Sequence, residues 1–467
     1  MPGTFFGIEI GRTGLAAAQV GQDVTGHNIA NAGTEGYSVQ SVDQMATDMI
    51  ASDDHTTLPV GEALGTGVAI SRIQRARDQF LDTQVRGATA GQSYQSSLQG
   101  ALDQVDSAFG EPSSTGLNSA LSTFFNGFRD LSNNPEDLGI RATTIQKGDA
   151  LVQVMQGVQQ RLTSVSTTLT QHIAADVQSL NAYGAQIAGL NVTIRQESAS
   201  GHPVNGLLDQ RDLLLDKVSG IANVSTTSNA DGTVNVAIGS QALVVGTDAY
   251  TVTQSSLTAG GDLKQGELAG LIEGQSEVGA YQGKLDSLAA SLVNQVNDAH
   301  RGGAGLDGTT NLDFFTVTAG KEASTIAVNS VLESHPEQLA AAARPVPPAS
   351  PVPPQSDAAN AALLAGLKNK TDTTPGDVLY NNTLQGFYQK TVSDAGGRAA
   401  SAKSASDSAG ATLTQLTQQR NSVTGVSTDS EMINMLRYQR AYQASARVVQ
   451  TMDDMVGTLI NNLFSGR

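Results

Sequence analysis

The 467-residue sequence has no cysteine and no tryptophan, and only 4% of its residues are aromatic. Without cysteine the chain forms neither disulfides nor thiolate zinc sites, iron–sulfur clusters or a cysteine nucleophile. Charged residues make up 15% of the chain, below the roughly 25% typical of soluble domains. We therefore expect long, narrow helical seams built from Ala, Val and Leu rather than a large aromatic core.

Basic residues are also scarce, because 27 Lys and Arg stand against 44 Asp and Glu, giving a net charge of -17. Nucleic acids and anionic membrane surfaces attract basic patches, so this balance predicts a protein that does not bind nucleic acid. The sequence has no apolar run of about 18 residues, which predicts no membrane insertion. Residues 1–25 lack the pattern of a cleaved signal peptide.

Patterns typical of active sites are missing as well. Six histidines are scattered without ligand spacing, and we expect them on surfaces or helix faces. Asp209, Arg211 and Asp212 form a charged group in which salt bridging is favoured over paired catalytic carboxylates. The sequence therefore predicts no catalytic residue, no metal, no cofactor and no enzymatic activity.

Hydrophobic periodicity predicts a mainly α fold with small β inserts (α+β), arranged as a long antiparallel helical rod or coiled-coil bundle. Between about residues 141 and 200 apolar residues recur in steps of three and four without an interrupting proline, which predicts one long helix. Shorter helices are predicted near 79–109, 117–131 and 268–300. β-branched residues with intervening glycine turns predict small antiparallel β units near 223–252 and 314–328.

The two ends of the chain have the strongest helical patterns. Near the C-terminus apolar residues repeat every seven positions, which is the spacing of a coiled-coil seam, and a weaker repeat lies in the first 30 residues. Glycines weaken the first helix, so we expect both ends to be marginal in the monomer and ordered by neighbouring subunits. The alternative is a hairpin of the two terminal helices within one chain. The predicted subunit and chaperone contacts are Ile10, Leu15, Ala17, Val24, Ile29, Met435, Tyr438, Tyr442, Val449, Met452, Val456, Leu459 and Leu463.

These patterns divide the chain into several parts. Residues 1–40 and 425–467 are predicted to form a terminal coiled-coil domain. A long-helix rod domain is assigned to 41–220, 265–302 and 356–424. Small β units occupy 221–264 and 303–344, and residues 345–355 are predicted to be a proline-rich linker.

Both ends also resemble a known family. The segments Gly14-Leu15-Ala16-Ala17-Ala18-Gln19 and His27-Asn28-Ile29-Ala30-Asn31, followed by Gly36-Tyr37-Ser38, are similar to the N-terminal signature of bacterial flagellar rod, hook and hook-associated proteins. The run from Glu431 to Thr451 resembles the closing helix of that family. Interior segments, including Asn205-Gly206-Leu207-Leu208-Asp209-Gln210-Arg211-Asp212, favour its hook-associated branch over hook protein and the second junction protein, which remain alternatives.

This resemblance implies a structural role in the bacterial flagellum, with a flagellum-associated cell-wall hydrolase as the less favoured alternative. A hook-associated protein would form a ring of its own copies at the hook–filament junction, between hook protein and a second hook-associated junction protein. It would be extracellular, exported by the flagellar type III system without a cleaved signal peptide. The C-terminal helix would bind a cytoplasmic export chaperone before assembly.

Overall fold

The structure, a computed structural model, describes residues 6–47, 49–50, 64–259, 261–344, 352–372 and 379–464. Most of the predicted proline-rich linker, residues 345–351, lies outside this range. Within it, the chain is mainly helical with small antiparallel sheets, which confirms the predicted fold class.

Helices account for the long elements. In chain order they are α1 (Phe6–Ala30), α2 (Gln79–Phe109), α3 (Leu117–Asn133), α4 (Leu138–Ala199), α5 (Asn205–Ile221), α6 (Gln254–Ala259), α7 (Glu267–Arg301), α8 (Glu322–Thr325), α9 (Ser330–Ser334), α10 (Ala359–Gly366), α11 (Leu384–Thr424) and α12 (Thr428–Phe464). Two short 3-10 helices cover Pro336–Gln338 and Leu367–Asn369. The predicted long helix near 141–200 is α4, and the predictions near 79–109, 117–131 and 268–300 correspond to α2, α3 and α7.

The strands are short and pair antiparallel. They are β1 (Gln40–Ala46), β2 (Met49–Ile50), β3 (Leu64–Gly65), β4 (Val68–Arg75), β5 (Val224–Ser228), β6 (Val234–Ile238), β7 (Gln241–Val245), β8 (Asp248–Ala249), β9 (Gly303–Ala304), β10 (Phe315–Thr316), β11 (Ala327–Val328) and β12 (Ala342–Ala343). Strands β5 to β8 form a four-stranded meander where the first β unit was predicted. The β1–β4 pair, whose register shifts between Asp43 and Gln44, was not predicted and lies mostly within the range assigned to the long-helix rod domain.

The chain divides into two compact units that differ from the predicted domains in their boundaries. Unit 1 comprises residues 1–90, 179–263 and 410–467, and unit 2 comprises 91–178 and 264–409. Helices α2, α4 and α11 each contribute to both units because they run through the boundaries. Apolar residues of α4 are buried along its length in both units, from Leu151 and Leu162 to Leu180 and Ile194.

Unit 2 concentrates the few aromatic residues of the chain. Five of the 11 phenylalanines, Phe124, Phe125, Phe128, Phe314 and Phe315, gather with ring centroids 4.7–5.7 Å apart. Such tilted and edge-to-face pairs add about 0.5–1.5 kcal/mol each beyond burial of area. The low aromatic content therefore does not exclude an aromatic core, because the aromatics are not spread evenly.

One histidine of the six is buried on a helix face. His300, at the end of α7, has its Nε2 accepting a hydrogen bond from the Ala340 amide while Nδ1 lies 2.6 Å from the Leu312 carbonyl. Burial lowers the pKa of His300 to about 4, so its imidazole is neutral at pH 7. Backbone groups therefore satisfy both ring nitrogens of this buried histidine.

Candidate assembly surface on the terminal helices

Helices α1 and α12 pack antiparallel against each other within unit 1. Four glycines of α1 lie in this contact, and we call them the glycine stripe: Gly7, Gly11, Gly14 and Gly21. Successive members are four, three and seven residues apart. Opposite them lie side chains of the α12 seam: Met452, Val449, Ser445 and Tyr438, in that order. Absence of side chains on the stripe lets each seam residue approach the α1 backbone.

Added methyl groups would not fit on this stripe. A Cβ built on Gly11 would lie 2.6 Å from Val449 Cγ2, and one built on Gly21 would lie 2.5 Å from the Tyr438 ring. Real Cβ atoms do not approach heavy atoms this closely, so alanine at either position requires a shift of α12. Glycine is therefore required here for close helix approach, although it lowers the intrinsic stability of α1 by up to about 1 kcal/mol per residue.

The seam residues predicted on α12 fall into two groups. Met435, Tyr438, Val449, Met452 and Val456 are half-buried. Tyr442 and Leu459 remain 41% and 50% exposed. Leu463 lies outside the residues whose side chains are described.

On α1 the predicted contact residues are covered to different degrees. Ala17 is buried, and Ile10, Leu15, Val24 and Ile29 are half-buried. The α12 seam lies directly against the glycine stripe. The intramolecular hairpin, left open as an alternative, is therefore the arrangement in the structure, and the expectation that these helices find partners only in other subunits needs correction for this face.

Asn28 joins three elements at the end of α1. Its side chain is 1% exposed, and its amide donates to the Gln40 carbonyl at 2.8 Å and to Glu431 Oε2 of α12 at 2.9 Å. Its Oδ1 accepts from the Tyr37 hydroxyl and from the Gln40 amide. Every hydrogen-bonding group of this buried amide is therefore satisfied, which explains why this position of the signature requires asparagine.

The rest of the signature anchors the following loop to α5. Gly36 has a φ of 79° and lies against Leu213, where a Cβ would meet the Leu213 side chain at 3.0 Å. Ser38 donates through its hydroxyl to Asp209 Oδ1 at 2.8 Å. Burial, with Asp209 and Glu431 nearby, raises the pKa of Tyr37 to about 12 and keeps its hydroxyl protonated as a donor.

Asp209 also belongs to a buried network of ion pairs, the Arg–Asp cluster. Its members come from the end of β4, from α2, from α5 and from α11: Arg75, Arg77, Asp82, Arg86, Asp209, Asp212, Asp216 and Arg420. Burial opposes ionisation of Asp212, but Arg77, Arg75 and Arg86 outweigh it and lower the Asp212 pKa. Asp209 and Asp212 form salt bridges, as predicted. Their arginine partners lie far from them along the chain and were not predicted.

Helix α12 exposes an unusual amount of apolar surface, including the seam residues Tyr442 and Leu459. Eight of the nineteen large hydrophobic residues exposed in the described part of the chain lie on it: Met432, Ile433, Leu436, Tyr442, Val448, Met455, Leu459 and Ile460. Met432, Ile433 and Leu436 share one helix face within little more than a turn and are 58%, 67% and 55% exposed. Clusters of this kind on soluble proteins mark interaction sites.

Comparison with known proteins gives this geometry a family. A model of the flagellar hook-associated protein FlgK helical domain matches residues 102–315. Two models of flagellar basal body rod proteins match the ends, at residues 8–37 and 417–463, which contain most of α1 and α12. Flagellar hook-associated protein 1 of Bacillus subtilis is 29% identical over 516 aligned positions that cover all of both chains. The chain belongs to the family of flagellar hook-associated protein 1.

Other relatives agree with this assignment. The Escherichia coli member is 26% identical, covering 96% of this chain and 98% of its own. That alignment runs over 548 positions, more than the 467 residues of this chain, so it contains insertions relative to it. A solved structure, the flagellar hook junction protein FlgK from Burkholderia pseudomallei, superposes with a TM-score of 0.61 over 73% of this chain and all of that one, at 17% identity. It supports the fold.

The described residues contain no group of three or more metal-ligating side chains, and none of the described helices is long and apolar enough to span a membrane.

Sequence analysis did not predict the role of Asn205, which donates to the Gln40 side chain and to the Ile73 carbonyl and so ties α5 to the β1–β4 pair. It also did not single out Gly7 and Gly11 of the glycine stripe, although their regular spacing with Gly14 and Gly21 was an available signal.

Proposed function

We propose that this chain is a structural, non-catalytic subunit at the junction between flagellar hook and filament. Family membership supports a flagellar role, and the likeness to the Burkholderia hook junction protein supports this location. The observation that carries the assembly role is the exposed apolar surface of α12, which remains after α1 has covered the seam.

In this proposal α1 and α12 form one preassembled unit. The hairpin would be the element that each subunit contributes to the inner part of the ring, and the exposed residues of α12 would pack against neighbouring copies, hook protein and the second junction protein. Complete burial of a Leu, Ile or Met side chain stabilises by about 1.5–3 kcal/mol. Met432, Ile433 and Leu436 are more than half exposed, so each has about 1 kcal/mol still to gain from a neighbour.

Export supports the same proposal through composition. A chain without cysteine cannot be locked by disulfides before it passes a narrow secretion channel. The exposed apolar face of α12 would need cover in the cytoplasm, and an export chaperone bound there would provide it. We include type III export without a cleaved signal, and this chaperone, as parts of the proposal.

The proposal is tested by the triple variant Met432→Ser, Ile433→Ser and Leu436→Ser. Expressed in the source bacterium in place of the native chain, it should leave hooks without filaments in electron micrographs and abolish swimming, while secretion into the medium persists. A matched control removes equally apolar, exposed residues elsewhere, Val317→Ser, Val331→Ser and Leu363→Ser, and should swim normally.

Other outcomes discriminate the alternatives. Deletion of the gene should leave complete hooks, whereas loss of the hook itself would identify a hook protein. Incubation of the purified chain with peptidoglycan should leave its turbidity unchanged, whereas cleared peptidoglycan would contradict the non-catalytic role. Normal filaments on cells that carry the α12 triple variant would refute the proposed assembly surface.

A further inference from the structure

A basic pocket lies in unit 1 beside the Arg–Asp cluster, in a chain whose net charge is strongly negative. Its volume is about 410 Å³, and it is lined by four arginines, Arg75, Arg77, Arg86 and Arg211, and by the carboxylates Asp82 and Asp212. The side chains of the first three are only 12–14% exposed. Hydroxyl side chains of β5, at Thr226, Thr227 and Ser228, contribute a further wall.

The charges around this pocket do not balance. Arg75, Arg77, Arg86 and Arg420 share the four carboxylates of the Arg–Asp cluster. Arg211 is 9% exposed and forms no ion pair with any carboxylate in the described ranges. Its Nη1 instead donates to two neutral oxygens, the Asn191 side chain at 3.2 Å and the Gly232 carbonyl at 2.7 Å. One positive charge is therefore left over beside the pocket.

Two donors of the lining arginines are also unused. The Nε atoms of Arg77 and Arg211 are buried and have no hydrogen-bond partner. A buried N–H group without a partner costs about 1–3 kcal/mol, and more when it belongs to a charged group. An acceptor that carries negative charge would remove this cost and the excess charge together.

We propose that the basic pocket binds a tetrahedral oxyanion of the phosphate class. Such an ion offers several acceptor oxygens, which match the forked donors of arginine better than a halide does. The volume accommodates a phosphate group with hydration water. Because the lining arginines are recessed, a small free anion reaches them more readily than a side chain of a neighbouring subunit does. The bound ion would tie β4, α2, α5 and β5 together.

Equilibrium dialysis of the purified full-length chain against radiolabelled inorganic phosphate tests this proposal at constant ionic strength. We expect saturable binding of one phosphate per chain, competition by sulfate but not by chloride, and a phosphate-dependent rise in melting temperature. Arg211→Gln should weaken binding at least tenfold. Arg77→Lys, which keeps the charge but removes Nε, should also weaken it and serves as the second variant where Arg211→Gln fails to fold.

Arg72→Gln is the matched control. Arg72 lies on β4, as Arg75 does, but its side chain is 66% exposed and pairs with Asp43 outside the pocket. It should bind phosphate as the native chain does. Absence of saturable binding, or equal loss in Arg72→Gln and Arg77→Lys, would overturn the proposal. If the pocket is occupied only when chains associate, its ligand is an acidic side chain of a neighbouring copy, and the phosphate proposal is overturned. All measurements use the single chain, so they are independent of the junction role.

Discussion

The pairing of α1 with α12 can be tested by a disulfide, because the native chain has no cysteine to interfere. A Cβ at Gly14 would lie 3.4 Å from the Ser445 Cβ. Natural disulfides have Cβ atoms about 3.5–4.5 Å apart, so only a small adjustment is needed. The variant Gly14→Cys with Ser445→Cys should therefore oxidise readily within one chain.

The magnitude follows from the loop that the bond would close. Residues 14 and 445 are more than 400 positions apart, and loop-closure entropy predicts up to about 6 kcal/mol for such a length. Measured disulfides commonly contribute about 2–4 kcal/mol. We expect the free energy of unfolding of unit 1 to rise by about 2–4 kcal/mol, because this cross-link constrains the two segments that end the chain.

The assay is non-reducing electrophoresis of dilute, oxidised protein, followed by mass spectrometry of the linked peptides. A monomer of increased mobility is expected. The matched control Gly14→Cys with Ala441→Cys places the second thiol about one turn away on an exposed position of α12, and it should oxidise much more slowly. Disulfide-linked dimers that persist on dilution would refute the intramolecular hairpin, as would equal oxidation of both pairs.

Three further perturbations test the packing. Gly21→Ala should destabilise the α1–α12 pair by about 1–3 kcal/mol, because the added methyl group overpacks against Tyr438. Gly279→Ala should instead stabilise α7 by about 0.5–1 kcal/mol, because its methyl group meets nothing within 4 Å. If chemical denaturation gives the same sign for both variants, the steric argument is contradicted. Arg141→Met should lower the free energy of unfolding by about 2–4 kcal/mol, because the buried guanidinium donates to the Pro135 and Leu339 carbonyls. A melting temperature no lower than that of the exposed-site variant Arg129→Met would argue against this. For His300, with a folded pKa of about 4 and an unfolded pKa near 6.5, the unfolded state binds the extra proton, so stability should fall by up to about 3 kcal/mol as pH drops from 6.5 to 4; a His300→Gln chain with the same pH dependence would exclude the histidine as the cause.

Sequence alone was sufficient where local periodicity determines structure. The seam of α4 could be recognised because its buried residues repeat at helical spacing without proline, and the β5–β8 meander because β-branched residues alternate with glycine turns. The β1–β4 pair could not, since β1 is largely exposed and its register is broken by a bulge. The Arg–Asp cluster was equally hidden, because Arg75 and Asp212 are joined only by tertiary folding.

The glycine stripe has two opposite effects on α1. Helix propensity treats each glycine as a weakness, whereas the close approach of α12 depends on the absence of a side chain at these positions. In the packed pair the same glycines admit the larger residues of α12 and fix their register. We infer that α1 depends on α12 for its stability while α12 keeps Met432 and Leu436 exposed for other partners. In the proposed assembly, intramolecular pairing and contacts with other subunits use different faces of α12, and a substitution on either face should impair one without abolishing the other.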